Sequence, residues 1–146
     1  MGSRRSARAA ARATPCSSRS ELTQQVTPYL LYEDGEAAID FLTNAFGFRE
    51  VDRQVGGAGG MHAELEVSLG GGRIYLGQPP SGFRNPAEVG RTSSMYVLVD
   101  DVGAHCERAK GAGAQIVEEL NDLPFGHRRY GCTDPQGHEW FFAQVL

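Results

Sequence analysis

Two short stretches of this 146-residue chain place an imidazole beside a carboxylate. In DPQGHEWFF, residues 134–142, His138 and Glu139 are adjacent; in MHAEL, residues 61–65, His62 and Glu64 are two positions apart. Such pairs bind divalent ions, or they move protons, since imidazole titrates near neutrality and burial shifts a carboxylate. The elements that carry them decide which is open. HEWFFAQV reads as a strand, because aromatic residues dominate it and Asp-Pro and Gly precede it. Successive strand side chains face opposite ways, so His138 and Glu139 cannot reach one ion while that strand is regular. His138 then belongs with Trp140 and Phe142 on the packed face or at the turn edge, and Glu139 shares a face with Phe141.

His62 and Glu64 do share a face. MHAELEVSL alternates, with Ala63, Leu65, Val67 and Leu69 on one side and His62, Glu64, Glu66 and Ser68 on the other. As metal ligands they lack a third donor, because Glu66 lies roughly 6–7 Å further along the strand. As polar lining of a half-wet cavity, or as an acid–base pair, they need none. His62 and Glu64 are therefore the best polar site candidates.

The length fits one domain with a real core, and no apolar run approaches the length of a membrane-spanning helix. Cys16, Cys106 and Cys132 are odd in number and lack metal-site spacing. This favours a reducing, cytoplasmic setting over a disulfide framework. Arg4, Arg5, Arg8, Arg12 and Arg19 crowd the first twenty residues without an acid, leaving 14 − 5 = 9 basic against 18 acidic residues beyond. The body is acidic and carries no phosphate-tracking stripe, which argues against a nucleic-acid partner. Residues 1–25 read as a disordered Arg/Ala/Ser-rich tail, and residues 26–146 as a single domain.

That domain repeats itself. TPYLLYED is a strand ending in acid, EAAIDFLTNAFGF a helix stopped by glycine, FREVDRQV a strand, and MHAELEVSL and GGGRIYLGQ a hairpin. A Pro/Gly-rich connector, residues 79–93, follows. SMYVLVDD, VGAHCERAKGAGA, QIVEEL, HRRYGCTD and HEWFFAQV then give the same order. Asp34 and Asp101 stand 67 positions apart, and Gly72 and Gly137 stand 65 apart. The economical description is α+β with two βαβββ modules, 26–78 and 94–146. Within module two, Cys106 is assigned to the core and His105 to the surface of its helix.

TPYLLYEDGEAAIDFLTNAFGF, MHAEL and above all RYGCTDPQGHEWFFAQ resemble the vicinal oxygen chelate superfamily of glyoxalases, fosfomycin-resistance transferases, extradiol dioxygenases and bleomycin-binding proteins. The likeness leans toward the PhnB-like and bleomycin-resistance-like branch and covers residues 27–145. It implies a curved mixed sheet around a concave cavity, and a homodimer in which a module of one chain completes the cavity with a module of another. In metal-using members the ligands come from the first and last strands of each module. Carried onto this chain, those positions are Thr27, Leu76, Ser94 and Phe141. None is a good donor, so no cofactor is expected.

The resemblance and these residues together imply a metal-independent protein that binds a small aromatic or heterocyclic compound, as bleomycin-binding relatives do. By strand parity Tyr29, Leu31, Tyr96 and Phe141 either line the cavity or fill the core, and His62, Glu64 and Glu139 are the polar neighbours. Arg129 either clamps an anionic ligand group or forms an ordinary salt bridge. The alternative is a lyase, isomerase or dioxygenase using an off-pattern metal or an acid–base pair at His62 and Glu64.

Overall fold

The computed structural model describes residues 26–67 and 71–146. The reading of residues 1–25 as a disordered tail lies outside them, as do the expected strand positions Ser68 and Leu69. In chain order the elements are β1 (Tyr29–Leu31), α1 (Gly35–Phe46), β2 (Arg49–Val55), β3 (Met61–Glu66), β4 (Arg73–Gln78), α2 (Pro86–Val89), β5 (Ser94–Leu98), α3 (Val102–Gly111), β6 (Gln115–Asp122), β7 (His127–Thr133) and β8 (Glu139–Val145). This is βαβββ twice. Two short elements are unanticipated: a 3-10 turn at Gly57–Gly59, and α2, a single turn in the connector entered through Pro86 in the first-turn position that tolerates proline.

Each module builds its own mixed four-stranded sheet, in the order β1-β4-β3-β2 and β5-β8-β7-β6. The first and last strands of each module pair in parallel, and the others are antiparallel. The curved sheet implied by the family likeness is therefore two sheets. Both main helices start the same way: Asp34 and Asp101 cap them by accepting from the amides of Ala37 and Ala104. Gly47, at φ 75°, ends α1 in the left-handed conformation that glycine adopts at little cost.

Alternation along each strand separates a covered face from an open one. Leu30, Ala63, Leu65, Ile74 and Leu76 of module one join Tyr130, Cys132, Trp140 and Phe142 of module two in one core with the helices. Phe46 of α1 reaches across the modules, its ring 5.4 Å from Trp140 and 4.6 Å from Phe142. Cys106 is buried in this core as expected. His105 is not the surface residue the sequence suggests. It is half-buried, its Nε2 lies 3.0 Å from the Phe46 carbonyl and its Nδ1 2.6 Å from the Tyr130 hydroxyl. A ring nitrogen facing a carbonyl must carry the hydrogen, so Nδ1 accepts from Tyr130. Burial lowers the His105 pKa, and the bond to Phe46 opposes this only in part.

A second clasp joins the modules at Asp134, which is only 4% exposed. Its carboxylate accepts from the Tyr32 hydroxyl at 2.7 Å and the Trp140 indole at 3.1 Å. The backbone amides of Gln136 and His138 donate to its other oxygen. Burial and this carboxylate together push the Tyr32 hydroxyl pKa well up. His138 adds a bond from Nε2 to the Leu31 carbonyl at 2.7 Å, with its ring against Tyr32. The histidine of the C-terminal His-Glu pair thus fastens one module to the other at the turn edge.

Candidate functional site

The open faces carry the candidate site, and strand register fixes who meets whom. On module one Tyr29 lies opposite Tyr75, and Tyr75 opposite Glu64. His62 stands opposite Gly77, the floor on which Tyr29 lies: a β-carbon there would approach Tyr29 Cε1 to 2.7 Å. Tyr29, His62 and Tyr75 pack edge to face, their centroids 5.3–5.8 Å apart. The Tyr29 hydroxyl lies 2.9 Å from His62 Nδ1, while Glu64 sits 3.9 Å from Nε2 and 3.4 Å from Arg73. A carboxylate on the Nε2 side favours the proton there, which leaves Nδ1 to accept from Tyr29. Tyr29 is 53% exposed, so this hydroxyl is within reach of a ligand. A hollow of about 640 Å³ between Val26, Thr27, Glu64, Arg73 and Tyr75 adjoins it.

Module two answers with a different set. Tyr96 lies opposite Phe141, and Ser94 opposite Glu139. The Tyr96 and Phe141 rings are nearly parallel, at 23° with centroids 6.5 Å apart. Phe141 lies over Gly131, where a β-carbon would come within 2.6 Å of its ring. The Tyr96 hydroxyl lies 2.7 Å from His127 Nδ1, and Phe125 packs edge-on against His127. Arg129 bonds Glu118 at two points, Nε to Oε2 at 2.7 Å and Nη2 to Oε1 at 3.1 Å. Glu139 is paired with Arg91 at 3.3 Å. Of the two expectations for Arg129, the salt bridge is what the structure shows.

Tyr29, Leu31, His62, Glu64, Tyr96, Arg129, Glu139 and Phe141 therefore all lie on open faces, four on each module. Leu76 does not. It is wholly buried on the covered face, paired with Leu30, and Tyr75 takes the open-face place. Counting from Gly72 caused the slip. The left-handed turn glycine matching Gly137 is Gly71, at φ 69°, and a shift of one residue reverses the face of a strand.

With that correction the first- and last-strand positions are Thr27, Tyr75, Ser94 and Phe141. Two weak hydroxyl donors, a phenol and a phenyl ring do not make a set for a divalent ion, which needs about three nitrogen, sulfur or carboxylate ligands. Two carboxylates lie nearby, Glu139 opposite Ser94 and Glu64 opposite Tyr75; Arg91 pairs with the first and Arg73 with the second. Among the described residues no three His, Cys, Asp or Glu side chains gather as an ion would require. None of the described helices is long and apolar enough to cross a membrane. Sequence reasoning missed His127, Glu118, Tyr75 and the two floor glycines. The spacing of Tyr29 and Tyr96, matching that of Asp34 and Asp101, is the signal that could have led to their partners.

A paired βαβββ architecture, each module with its own mixed four-stranded sheet, defines a class, and the sequence agrees. Residues 24–142 match the model of the Glyoxalase/Bleomycin resistance protein/Dioxygenase superfamily, and the chain belongs to it. An uncharacterized protein of Mycobacterium bovis is 32% identical over 128 residues, which is 83% of each chain. Among solved structures, TioX from Micromonospora sp. ML1 is 35% identical with a TM-score of 0.64, over 84% of this chain and 99% of that one. A PhnB protein from Bacillus cereus shares the fold at 20% identity and a TM-score of 0.60, over 84% of this chain and all of that one.

Proposed function

We propose that this chain is a small-molecule binding member of the superfamily that takes a planar aromatic or heterocyclic compound on its open faces without a divalent ion. The observation that carries this reading is the exchange at the four strand positions. Where a metal-using relative needs donors, Thr27, Tyr75, Ser94 and Phe141 offer hydroxyls and rings. Aromatic surface with a few polar handles suits a neutral organic ligand better than a phosphorylated one. We also propose a homodimer, on the family likeness, in which an open face of one copy would meet that of a second.

Thermal shift and calorimetric titration against a panel of aromatic heterocycles, before and after chelator treatment, test the reading. Equal binding and an unchanged melting temperature are expected. Stoichiometric zinc, nickel, manganese or iron in protein purified without chelator, lost together with stability on stripping, would overturn it. Light scattering tests the dimer, and a monomer at tens of micromolar would remove it.

One observation favours a second reading, a metal-free enzyme. The run Glu64–His62–Tyr29 could pass a proton from a ligand through the phenol to the imidazole, with the carboxylate orienting the ring. Turnover abolished by Glu64→Gln with binding retained would move the assignment there.

A further inference from the structure

The two open faces are duplicates in register but not in geometry, and the difference bears on what stacks where. On module one the three rings stand at 69–89° to one another and offer edges and a hydroxyl. On module two the Tyr96 and Phe141 rings are nearly parallel, and the guanidinium of Arg129 lies over both. Its Cζ is 4.9 Å from the Phe141 centroid and 5.9 Å from that of Tyr96. The two-point bond to Glu118 fixes the orientation of this planar cation, and Gly131 holds Phe141 down beneath it. A guanidinium already matched by a carboxylate is a poor clamp for a second anion. Its flat outer face keeps the ability to stack on a ring, a property lysine lacks.

We infer that Arg129, laid on Phe141 and fixed by Glu118, is the base of a stacking slot on module two that selects neutral, electron-rich planar aromatics over anionic or electron-poor ones. This rests on the proposed ligand-binding function and adds to it both the position of the ligand ring and its electronic character. The ring sits on the guanidinium, so the layers run Phe141, Arg129, ligand. Cation–π attraction grows with electron density on the ring face, and the slot therefore ranks ligands of one shape by their substituents. The Arg129 side chain is 24% exposed, so part of it is reachable from solvent.

The test uses the full chain and four probes of one shape: indole, 5-methoxyindole, 5-nitroindole and indole-5-carboxylate. Affinity is measured by calorimetry, and the Arg129 Nε–H, bonded to Glu118, is followed by proton–nitrogen NMR. The methoxy compound should bind roughly two- to thirty-fold more tightly than the nitro compound. The carboxylate should bind no better than indole, and the Nε–H resonance should move upfield under the ring current of the bound ligand. Arg129→Gln, which removes the positive charge and keeps a planar polar group, should level the ranking. Measurable binding with a flat ranking, an unmoved Nε–H or a preference for the carboxylate would overturn this inference and leave the binding function standing. No binding by any of the four would retire both.

Discussion

Asp134 carries the heaviest single load at the junction of the modules, and replacing it with alanine gives a calculable loss. Four donors converge on its carboxylate. The amides of Gln136 and His138 sit at a half-buried turn and can find water once the carboxylate is gone. The Tyr32 hydroxyl and the Trp140 indole cannot, since both side chains are among the most deeply buried in the chain. Each stranded donor costs about 1–3 kcal/mol. Together with the lost charge-assisted bonds the total comes to about 3–5 kcal/mol, or a fall of about 10–25 °C in the melting temperature of a domain this size. Tyr32→Phe removes one donor with its hydroxyl and should cost about 1–2 kcal/mol alone. In the double variant no hydroxyl is left stranded, so the two losses should add to less than their sum by about 1–2 kcal/mol. Denaturant titration of the four proteins checks both figures. Asp134→Ala melting within about 3 °C of the parent, or strict additivity, would refute the clasp.

Three further outcomes follow from the same geometry. Gly131→Ala should tilt the Phe141 ring off its floor and weaken aromatic binding, with a stability cost of about 1–3 kcal/mol; calorimetry and melting read the two effects separately. Gly137→Ala should destabilise more, because the residue sits at φ 102° and a β-carbon would run into the backbone of Ala87 in α2, which thermal melting will show. His105 has its pKa lowered on folding, so below about pH 6.5 the unfolded chain binds its proton more readily than the folded one. Its contribution is therefore present above that value and is lost as the pH falls toward the lowered folded value. Stability measured from pH 7.5 to 5 should show this slope, and His105→Asn should flatten it.

Much of this molecule can be read from the chain before any coordinates. Matching Asp34 with Asp101 gives the module repeat, because both residues cap helices in the same way. Alternation in MHAEL puts His62 and Glu64 on the open face, because one face is buried and register is then strongly specified. What resisted reading was long-range. Glu118 meets Arg129 across a bulged stretch of β6, and no count of residues reveals that pairing. Asp134 and Tyr32 lie 102 positions apart and meet only once the modules dock. The triple glycine 70–72 hid the true turn residue, and that one ambiguity sent Leu76 to the wrong side of its strand.

All strand pairing in the described residues stays inside a module; the shared core, side-chain bonds, helix packing and the connector bridge the two. A trade of halves between two copies would leave each ladder whole and break the shared core together with the contacts around Asp134, Gln136, His138, Arg108, Phe46 and Phe48. Those same contacts would re-form with the incoming half. In such a trade the 79–93 segment, more than any feature of the sheets, would have to span from one copy to the other.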